Sequence, residues 1–484
     1  MRFIYLLFTF FSLSIGAFSQ VPATEVRAVW LTTNWGLDWP AQGTSVTAQK
    51  EELERILDVL KRENFNTVLF QTRAQGSVFY ESQIEPKSSY FNHADNFDPL
   101  AFAIDECHKR GLECHAWIIT YPMEKAQMMY TGRGKRREGV PVKNKPDYYK
   151  FVNGTWYLDP GRPETTDLIA SIVSEIVSNY DVDGVHFDYI RYPSSNTGKF
   201  PDEDTFKKYG NGEKLSDWRR NNINRLVTQV YDTVKSIKKW VQVSSSPLGR
   251  YRVLPVSPND GWTAYETVFQ DAGHWMQTGK HDLMFPMMYY RGQNFYPFLD
   301  DWVANSNGRI IVPGLGVYQM DELSWPLQDI TDQMKYIREN NVKGEAYFRV
   351  GNLLNNLKGV MDSVRAYYPT PAKLPPLIWL DSIAPDSPLD LQVYKDNNGL
   401  LNIKWNMPDK NEDFTYTVYV SSTENIDRDN SNSILATGLH ANSYSFSAIV
   451  GEFGLYYSVS ASDRYHNESI VSFPAYFSHS ANEQ

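Results

Sequence analysis

The sequence has only two cysteines among its 484 residues, Cys107 and Cys114. Two thiolates are too few for a structural zinc site, which takes four ligands. They lie seven residues apart, at the end of a predicted helix and in the strand that follows, and few such pairs meet the geometry of a disulfide. An oxidising compartment would permit a bridge, but we interpret the pair as two buried free thiols.

Positive charge is also scarce: the chain has 47 Lys and Arg residues against 57 Asp and Glu residues, and its formal net charge is −10. Binding to a phosphate backbone needs a basic surface, so the composition argues against a nucleic-acid partner. Aromatic residues are plentiful instead, with 31 tyrosines and 13 tryptophans. The faces of these rings suit sugar rings, although many will belong to the core.

Long apolar runs are missing beyond the N-terminus, so no later segment is long enough to span a bilayer. Residues 1–19 have the pattern of a secretory signal peptide, with an apolar run at Phe3–Phe11 and a small-x-small site at Ala17–Ser19. That apolar run is too short for a stable span, and no cysteine follows it to carry a lipid. We therefore expect an exported protein, periplasmic or extracellular, that has no stable membrane span.

Several sequence motifs of known chemistry are absent. The chain has no G-x-S-x-G elbow, no H-E-x-x-H pair and no glycine-rich phosphate loop after the first strand. Its histidines lack the spacing of metal ligands. We expect neither a metal nor a cofactor.

Strands and helices alternate eight times from Glu25 to Val350, which predicts an α/β fold of the (β/α)₈ (TIM) barrel type. An open doubly wound sheet is the competing fold, but it would carry a phosphate loop after its first strand. The predicted strands are Glu25–Leu31, Thr67–Gln71, Leu112–Thr120, Gly184–Ile190, Val241–Ser245, Asp282–Tyr290, Arg309–Pro313 and Gly344–Val350.

The composition changes where prolines cluster between Pro369 and Pro388. Short alternating strands follow, a pattern typical of a small all-β sandwich. We therefore predict a barrel at 20–370, a proline-rich linker at 371–388 and a sandwich at 389–484.

The most informative stretch is D-V-D-G-V-H-F-D-Y-I-R-Y-P at 181–193. Side chains alternate along a strand, so His186 and Asp188 share one face, which in a barrel is the lumen. Polar lumen residues near the C-terminal end of a barrel strand are usually catalytic. The alternative is a purely structural ion pair between Asp188 and Arg191 or Arg73.

Residues that follow the other strands supply aromatic rings, arginines and carboxylates, which is what a carbohydrate cleft needs. Glycoside hydrolysis takes two carboxyl groups, and Glu266, Asp321 and Glu322 are the candidates to act with Asp188. Glu345 opens its strand and should lie at the opposite end of the barrel. The strand-end set comprises Asn34, Asp38, Trp39, Arg73, Gln75, Trp117, Tyr121, Asp188, Arg191, Tyr192, Arg250, Asp260, Glu266, Tyr289, Tyr290, Arg291, Tyr318, Asp321, Glu322, Arg349 and Asn352.

With these motifs assembled, residues 25–368 resemble the glycosyl hydrolase-like family 10 barrels, a group of exported bacterial proteins. The resemblance rests on E-V-R-A-V-W-L-T-T, V-L-F-Q-T-R-A-Q-G-S-V-F-Y, W-Y-L-D-P-G-R-P, H-F-D-Y-I-R-Y-P and D-L-M-F-P-M-M-Y-Y, of which H-F-D-Y-I-R-Y-P is the most specific. It implies a glycosidase of peptidoglycan or a related polysaccharide, including glycan strands that lack stem peptides.

Carried over by position, the resemblance makes Asp188 the leading catalytic residue and implies site roles for Arg73, Asp159, His186 and Tyr289. Family members often have a glutamine before the aromatic pair of the sixth strand, where this chain has Met288, so the sugar recognised could differ. Residues 389–484 resemble a fibronectin type III module. A non-catalytic glycan-binding protein on the same barrel is the alternative, and a second carboxylate facing Asp188 would favour the enzyme.

Overall fold

The computed structural model describes residues 21–125, 130–131, 135–136, 146–194, 198–257, 261–409, 413–447 and 454–478. The predicted signal peptide and Asp260 lie outside these ranges. No helix in the described part of the chain is long and apolar enough to cross a membrane.

The first domain is a closed barrel of eight parallel strands, as the alternation of strands and helices predicted. Neighbouring strands pair in sequence order, and the first strand also pairs with the eighth, from Val26 opposite Gly344 onward. The seventh strand is split at Pro313: its first half pairs with the sixth strand and its second half with the eighth, which closes the barrel. The strands are Val26–Leu31, Thr67–Ala74, Glu113–Ile119, Gly184–Asp188, Gln242–Ser245, Leu283–Met284, Ile310–Ile311 with Gly314–Leu315, and Gly344–Tyr347.

The helices form a layer outside the barrel because each carries an apolar stripe at helical spacing. In the first helix the stripe is Leu53, Ile56, Leu57 and Leu60, all fully or nearly fully buried. Two short helices, Ala264–Thr267 and Ala272–Gln277, precede the sixth strand, and the carboxylate of Asp271 caps the second. The helices are Val46–Arg62, Pro99–Lys109, Pro163–Asn179, Glu203–Tyr209, Leu215–Ile237, Ala264–Thr267, Ala272–Gln277, Tyr296–Ala304, Gln319–Glu322, Leu327–Glu339, Val350–Leu354 and Val360–Tyr367.

The excursion after the third barrel strand contains a small antiparallel sheet made of Pro122–Lys125, Tyr149–Val152 and Thr155–Leu158. It is tied to the barrel because the amide of Leu158 donates to the carbonyl of Tyr121 at 2.9 Å. The excursion therefore stands at the C-terminal end of the strands. Cys107 and Cys114 are buried and unbridged, as we interpreted.

The C-terminal part forms two antiparallel sheets packed face to face over a core that includes Ile403, Trp405, Val418 and Val459. The three-stranded sheet orders its strands Leu389–Lys395, Leu401–Asn406, Ser443–Phe446. The four-stranded sheet orders its strands Ile434–Leu439, Thr415–Ser421, Leu455–Ser462, Ala475–Phe477. The resemblance to a fibronectin type III module remains a prediction.

The proline-rich segment packs against the barrel rather than running free between the domains. Leu377 is fully buried in a cluster with Val26, Leu283 and Ile310, at the N-terminal ends of the strands. The indole N–H of Trp379 donates to Asp282 at 2.9 Å. The segment thus closes the end of the barrel opposite the strand ends that carry the predicted site.

Candidate active site

Asp188 is the last residue of the fourth barrel strand, and only 6% of it is exposed. Its carbonyl accepts a hydrogen bond from the amide of Thr120 at 2.8 Å, which holds the ends of the third and fourth strands together. One carboxylate oxygen accepts from the amide of Tyr189 at 2.7 Å. Tyr189 adopts a left-handed conformation, with φ of 51°, and this turns the chain away from the lumen just beyond Asp188.

Burial is the largest influence on Asp188 and raises its pKa, against the opposing pull of Arg191 and of nearby hydrogen-bond donors. Two of those donors are the hydroxyl of Ser246 and the indole N–H of Trp117, which lie close enough to the carboxyl to lower its pKa. Neither atom completes a hydrogen bond of normal geometry with a described residue. Two buried donors thus flank the carboxyl.

The guanidinium of Arg191 lies beside this carboxyl, and only 8% of the residue is exposed. Its central carbon lies 4.6 Å from the centre of the Tyr189 ring and 5.9 Å from the Trp262 ring. The indole N–H of Trp262 donates to the hydroxyl of Ser194 at 3.1 Å. Two aromatic rings thus hold the cation in place without neutralising it.

A wall of aromatic rings continues from these residues across the C-terminal ends of the strands. Tyr289 lies 5.6 Å from Tyr318 and 5.7 Å from Phe348, measured between ring centres. Phe348 lies 6.4 Å from the ring of Trp117, beside Asp188. Tyr289 and Tyr318 are partly exposed, so their rings offer a surface for the apolar faces of sugars. Gly316 leaves room for this wall, because a β-carbon there would lie 3.1 Å from the Tyr289 side chain.

The carboxylates proposed to act with Asp188 do not contact it. Glu266 is exposed and lines a surface cavity with Asp271 and His274, between short helices. Glu322 is exposed and lies beside Tyr318. Burial, followed by the charge of Glu322, raises the pKa of Tyr318 to about 12. Among the described residues, no second carboxylate is one of the main influences on the pKa of Asp188.

Comparison with known proteins identifies the family. The family model described as "Glycosyl hydrolase-like 10" matches residues 25–312. The chain belongs to this family. It is 34% identical over 406 residues to "Glycosyl hydrolase YngK" of Bacillus subtilis, covering 78% of this chain and 79% of that protein. It is 33% identical over 342 residues to "Glycosyl hydrolase DigH" of Escherichia coli K12, covering 64% of this chain and 76% of that protein.

Among solved structures, the chain is similar to the PgaB (BpsB) glycoside hydrolase domain from Bordetella bronchiseptica. That similarity has a TM-score of 0.49 at 14% identity and covers 70% of this chain and 98% of that one. With the family match and the two relatives, the chain is a glycoside hydrolase. The non-catalytic alternative is thereby set aside.

The family-based prediction placed His186 in the site, but the structure places its ring in the lumen beneath the aromatic wall. Its Nε2 accepts from the Trp30 indole N–H at 3.2 Å, and its Nδ1 lies 2.9 Å from the hydroxyl of Ser244. These partners make Nδ1 the protonated nitrogen, and burial holds the pKa of His186 well below its usual range. His186 is a neutral core residue that supports Trp30, and both of its ring nitrogens are occupied.

Arg73 is also fully engaged within the protein. It is 1% exposed and forms a two-point ion pair with Glu85, at 2.5 Å and 2.7 Å. Its remaining nitrogen donates to the carbonyls of Ile119 and Thr120. Arg73 therefore fixes the end of the third strand, next to Asp188, and has no donor left for a sugar.

Three other predicted residues are buried behind the site surface. Asp159 accepts from the amide of Gly161 at 3.0 Å and from the hydroxyl of Thr205 at 2.6 Å, and burial raises its pKa. The hydroxyl of Tyr192 accepts from Asn222 at 3.1 Å. Tyr121 is 1% exposed. These side chains are packed beneath the site and do not form part of its exposed surface.

Asn34 is half-buried at the end of the first strand, where its backbone amide donates to the side chain of Gln71 at 2.7 Å. The nearby Asp38 accepts from Thr32, Arg349 and the amide of Gly351 and is saturated by these partners. Glu345 lies at the opposite end of the barrel, as its place at the start of a strand predicted. Burial and Glu25 raise the pKa of Glu345 to about 7.

The sequence reasoning missed four residues that the structure brings to the site: Ser246, Tyr189, Trp262 and Phe348. Ser246 follows the fifth strand directly and could have been found from that position alone. Phe348 follows the eighth strand of the structure, but it lay inside the strand predicted at Gly344–Val350 and was therefore missed. Trp262 lies in a long insertion without periodicity, so no sequence pattern pointed to it.

Proposed function

We propose that this glycoside hydrolase is exported and cleaves bacterial cell-wall glycan, with Asp188 as its catalytic carboxyl. One observation carries the proposal: a buried carboxyl with a raised pKa ends a barrel strand, flanked by the buried donors of Trp117 and Ser246. The C-terminal ends of barrel strands are where enzymes of this architecture place their chemistry. The aromatic wall that begins at Trp117 supplies a surface for sugar rings.

The direction of the pKa shift favours a general-acid role for Asp188. Burial outweighs the effect of Arg191 and raises the pKa, so the carboxyl keeps its proton to a higher pH than an exposed aspartate does. A protonated carboxyl can donate to the glycosidic oxygen as the bond breaks. A nucleophilic carboxylate would instead need a pKa held down by its neighbours.

Support for a cell-wall substrate comes from the family resemblance and from the signal-peptide pattern of residues 1–19. The export route would bring the enzyme to the compartment where that glycan lies. The partly exposed rings of Tyr289 and Tyr318 suit the apolar faces of a polysaccharide.

The test is to incubate the purified protein with three substrates: intact peptidoglycan, peptidoglycan stripped of stem peptides by an amidase, and a chitin oligosaccharide. We expect new reducing ends from at least one wall substrate, and none from the same substrate with Asp188→Asn. Asp204→Asn is the control, since this carboxylate is exposed in the helix Glu203–Tyr209 and was not a candidate for the site. No release from either wall substrate by the wild-type enzyme would overturn the proposed substrate class.

A further inference from the structure

Arg191 is a buried cation without an anionic partner in the described structure. Only 8% of the residue is exposed, and one terminal nitrogen, Nη1, has no hydrogen-bond partner among the described residues. None of the described carboxylates forms an ion pair with it, although Asp188 is close enough for the guanidinium to lower its pKa. Burying a charge is costly unless it is paired, so this arrangement leaves an interaction to be completed.

The way in which Arg191 is held leaves its hydrogen-bonding edge open. Tyr189 contacts the guanidinium at 4.6 Å between its central carbon and the ring centre, and Trp262 at 5.9 Å. Contacts to ring faces stabilise the cation while leaving in-plane N–H groups unused. A guanidinium in this state matches a carboxylate, which accepts two parallel N–H bonds.

The position of Arg191 ties such a carboxylate to the substrate. Arg191 follows Asp188 by three residues and influences the pKa of that carboxyl and of Tyr289 and Tyr290, after the sixth strand. Its charge therefore acts on the catalytic carboxyl and on the tyrosines that follow the sixth strand, and its ring contacts to Tyr189 and Trp262 hold it beside them. An anion bound there would belong to a sugar next to the bond that is cleaved.

We propose that Arg191 recognises a carboxylate on the glycan and is a specificity-determining residue of this enzyme. The inference rests on the proposed function, because the muramic acid residue of cell-wall glycan carries a lactyl group. That group ends in a carboxylate in strands without stem peptides and in an amide where a peptide is attached. Arg191 would thus make the enzyme prefer strands from which the peptides have been removed.

The test compares two soluble substrates that differ only at this group. Peptide-free glycan is prepared with its free carboxylates, and one part is converted to the methylamide. We expect the wild-type enzyme to cleave the carboxylate form with a kcat/KM at least about tenfold higher, in the range for one charge-assisted pair. Arg191→Gln should remove the preference, so that the ratio of the two kcat/KM values falls to about one, whatever change the loss of the charge beside Asp188 causes in both.

Arg191→Lys keeps the charge but loses the two-point geometry, so we expect an intermediate preference. The same preference should appear as binding affinity, without turnover, when calorimetry is done with each glycan on the Asp188→Asn variant. Equal cleavage of both substrates by the wild-type enzyme would overturn the inference and leave the proposed function standing. An equal loss on both substrates with Arg191→Gln would also overturn it, since Arg191 would then act through Asp188.

No cleavage of either substrate by the wild-type enzyme would overturn the proposed function and this inference together. If Arg191→Gln does not fold, the comparison of the two substrates on the wild-type enzyme and on Arg191→Lys still decides the question. Thermal unfolding of each variant accompanies the kinetics.

Discussion

The imidazole of His466, in the C-terminal sandwich, contacts the carboxylate of Glu113, at the start of the third barrel strand, with Nε2 and Oε1 2.7 Å apart. Its other ring nitrogen lies 3.0 Å from the carbonyl of Pro375. Both partners are acceptors, so the geometry requires both ring nitrogens to donate, as only a protonated histidine does. This buried ion pair joins the barrel, the proline-rich segment and the sandwich.

Replacing His466 should make stability less dependent on pH. Burial alone would lower the pKa of His466, but Glu113 outweighs it and the folded pKa is raised above the usual value near 6.5. The stability that His466 contributes is therefore fully present below about pH 6.5 and is lost as the pH rises through the folded pKa. We expect His466→Gln to lower the free energy of unfolding by about 1–3 kcal/mol at pH 6 and by less at pH 9.

Thermal unfolding measured from pH 6 to pH 9 checks this expectation. The exposed His274 provides a control, since His274→Gln should follow the wild-type curve. A constant difference between His466→Gln and the wild type at every pH would contradict the protonated pair.

These contacts show where sequence reasoning succeeds and where it stops. Apolar periodicity predicted the eight strands, and alternation placed His186 and Asp188 on one face. Alternation could not show how deep in the lumen each side chain lies. Two residues along a strand are about 6–7 Å apart, and this distance places Asp188 at the rim and His186 in the core. Partners remote in sequence were also beyond reach, as with His466 and Glu113, 353 residues apart. Glu85, the partner of Arg73, lies in a segment without helix or strand periodicity, so the sequence did not indicate this ion pair.

The proline-rich segment should be required for the stability of the barrel. Leu377 is fully buried among the apolar residues that fill the lower end of the lumen. We expect Leu377→Ala to lower the free energy of unfolding by about 2–5 kcal/mol, the range for a buried leucine. Its neighbour Ile378 is 64% exposed, so Ile378→Ala is the matched control and should change stability little. Denaturant unfolding compares the two.

The same argument predicts an ordering of two shortened chains. A chain ending at Asp381 keeps Leu377 and Trp379 against the barrel and should unfold cooperatively. A chain ending at Tyr368 loses both and should be markedly less stable. Equal stability of the two chains would show that the segment contributes nothing to the core of the barrel.

The aromatic wall should determine affinity more than rate. Tyr289 is partly exposed and lies at the centre of the wall, between Tyr318 and Phe348. We expect Tyr289→Ala to weaken glycan binding by about 1–3 kcal/mol, the range for an aromatic anchor, with a smaller change in kcat. Tyr394, an exposed tyrosine of the sandwich, is the control position. A loss of folding in Tyr289→Ala, with binding scaling to the folded fraction, would make the residue part of the core.

Asp188→Asn should abolish catalysis without destabilising the protein. Asparagine keeps the shape of the side chain but cannot donate a proton to the glycosidic oxygen, so we expect kcat to fall by at least about a thousandfold, or about 4 kcal/mol. In the wild-type enzyme, a carboxyl that acts as a general acid must be protonated. Activity should therefore fall as the pH rises through the raised pKa of Asp188.

Although Asp188→Asn should lose activity, it should not lose stability at neutral pH. The folded pKa of Asp188 is raised, so the folded protein favours the protonated form of this side chain. The stability that Asp188 contributes is therefore full below the unfolded pKa of about 3.9 and is lost as the pH rises through the folded pKa. Asparagine stays neutral, so at pH 7 the melting temperature of Asp188→Asn should equal or exceed that of the wild type, and the gain should vanish near pH 3. Asp38→Asn is the contrasting control: that carboxylate is also buried with a raised pKa, but it pairs with Arg349. Its loss should destabilise the protein, since an unpaired cation remains. A melting temperature for Asp188→Asn that falls as far as that of Asp38→Asn, with activity tracking the folded fraction, would make Asp188 a structural residue.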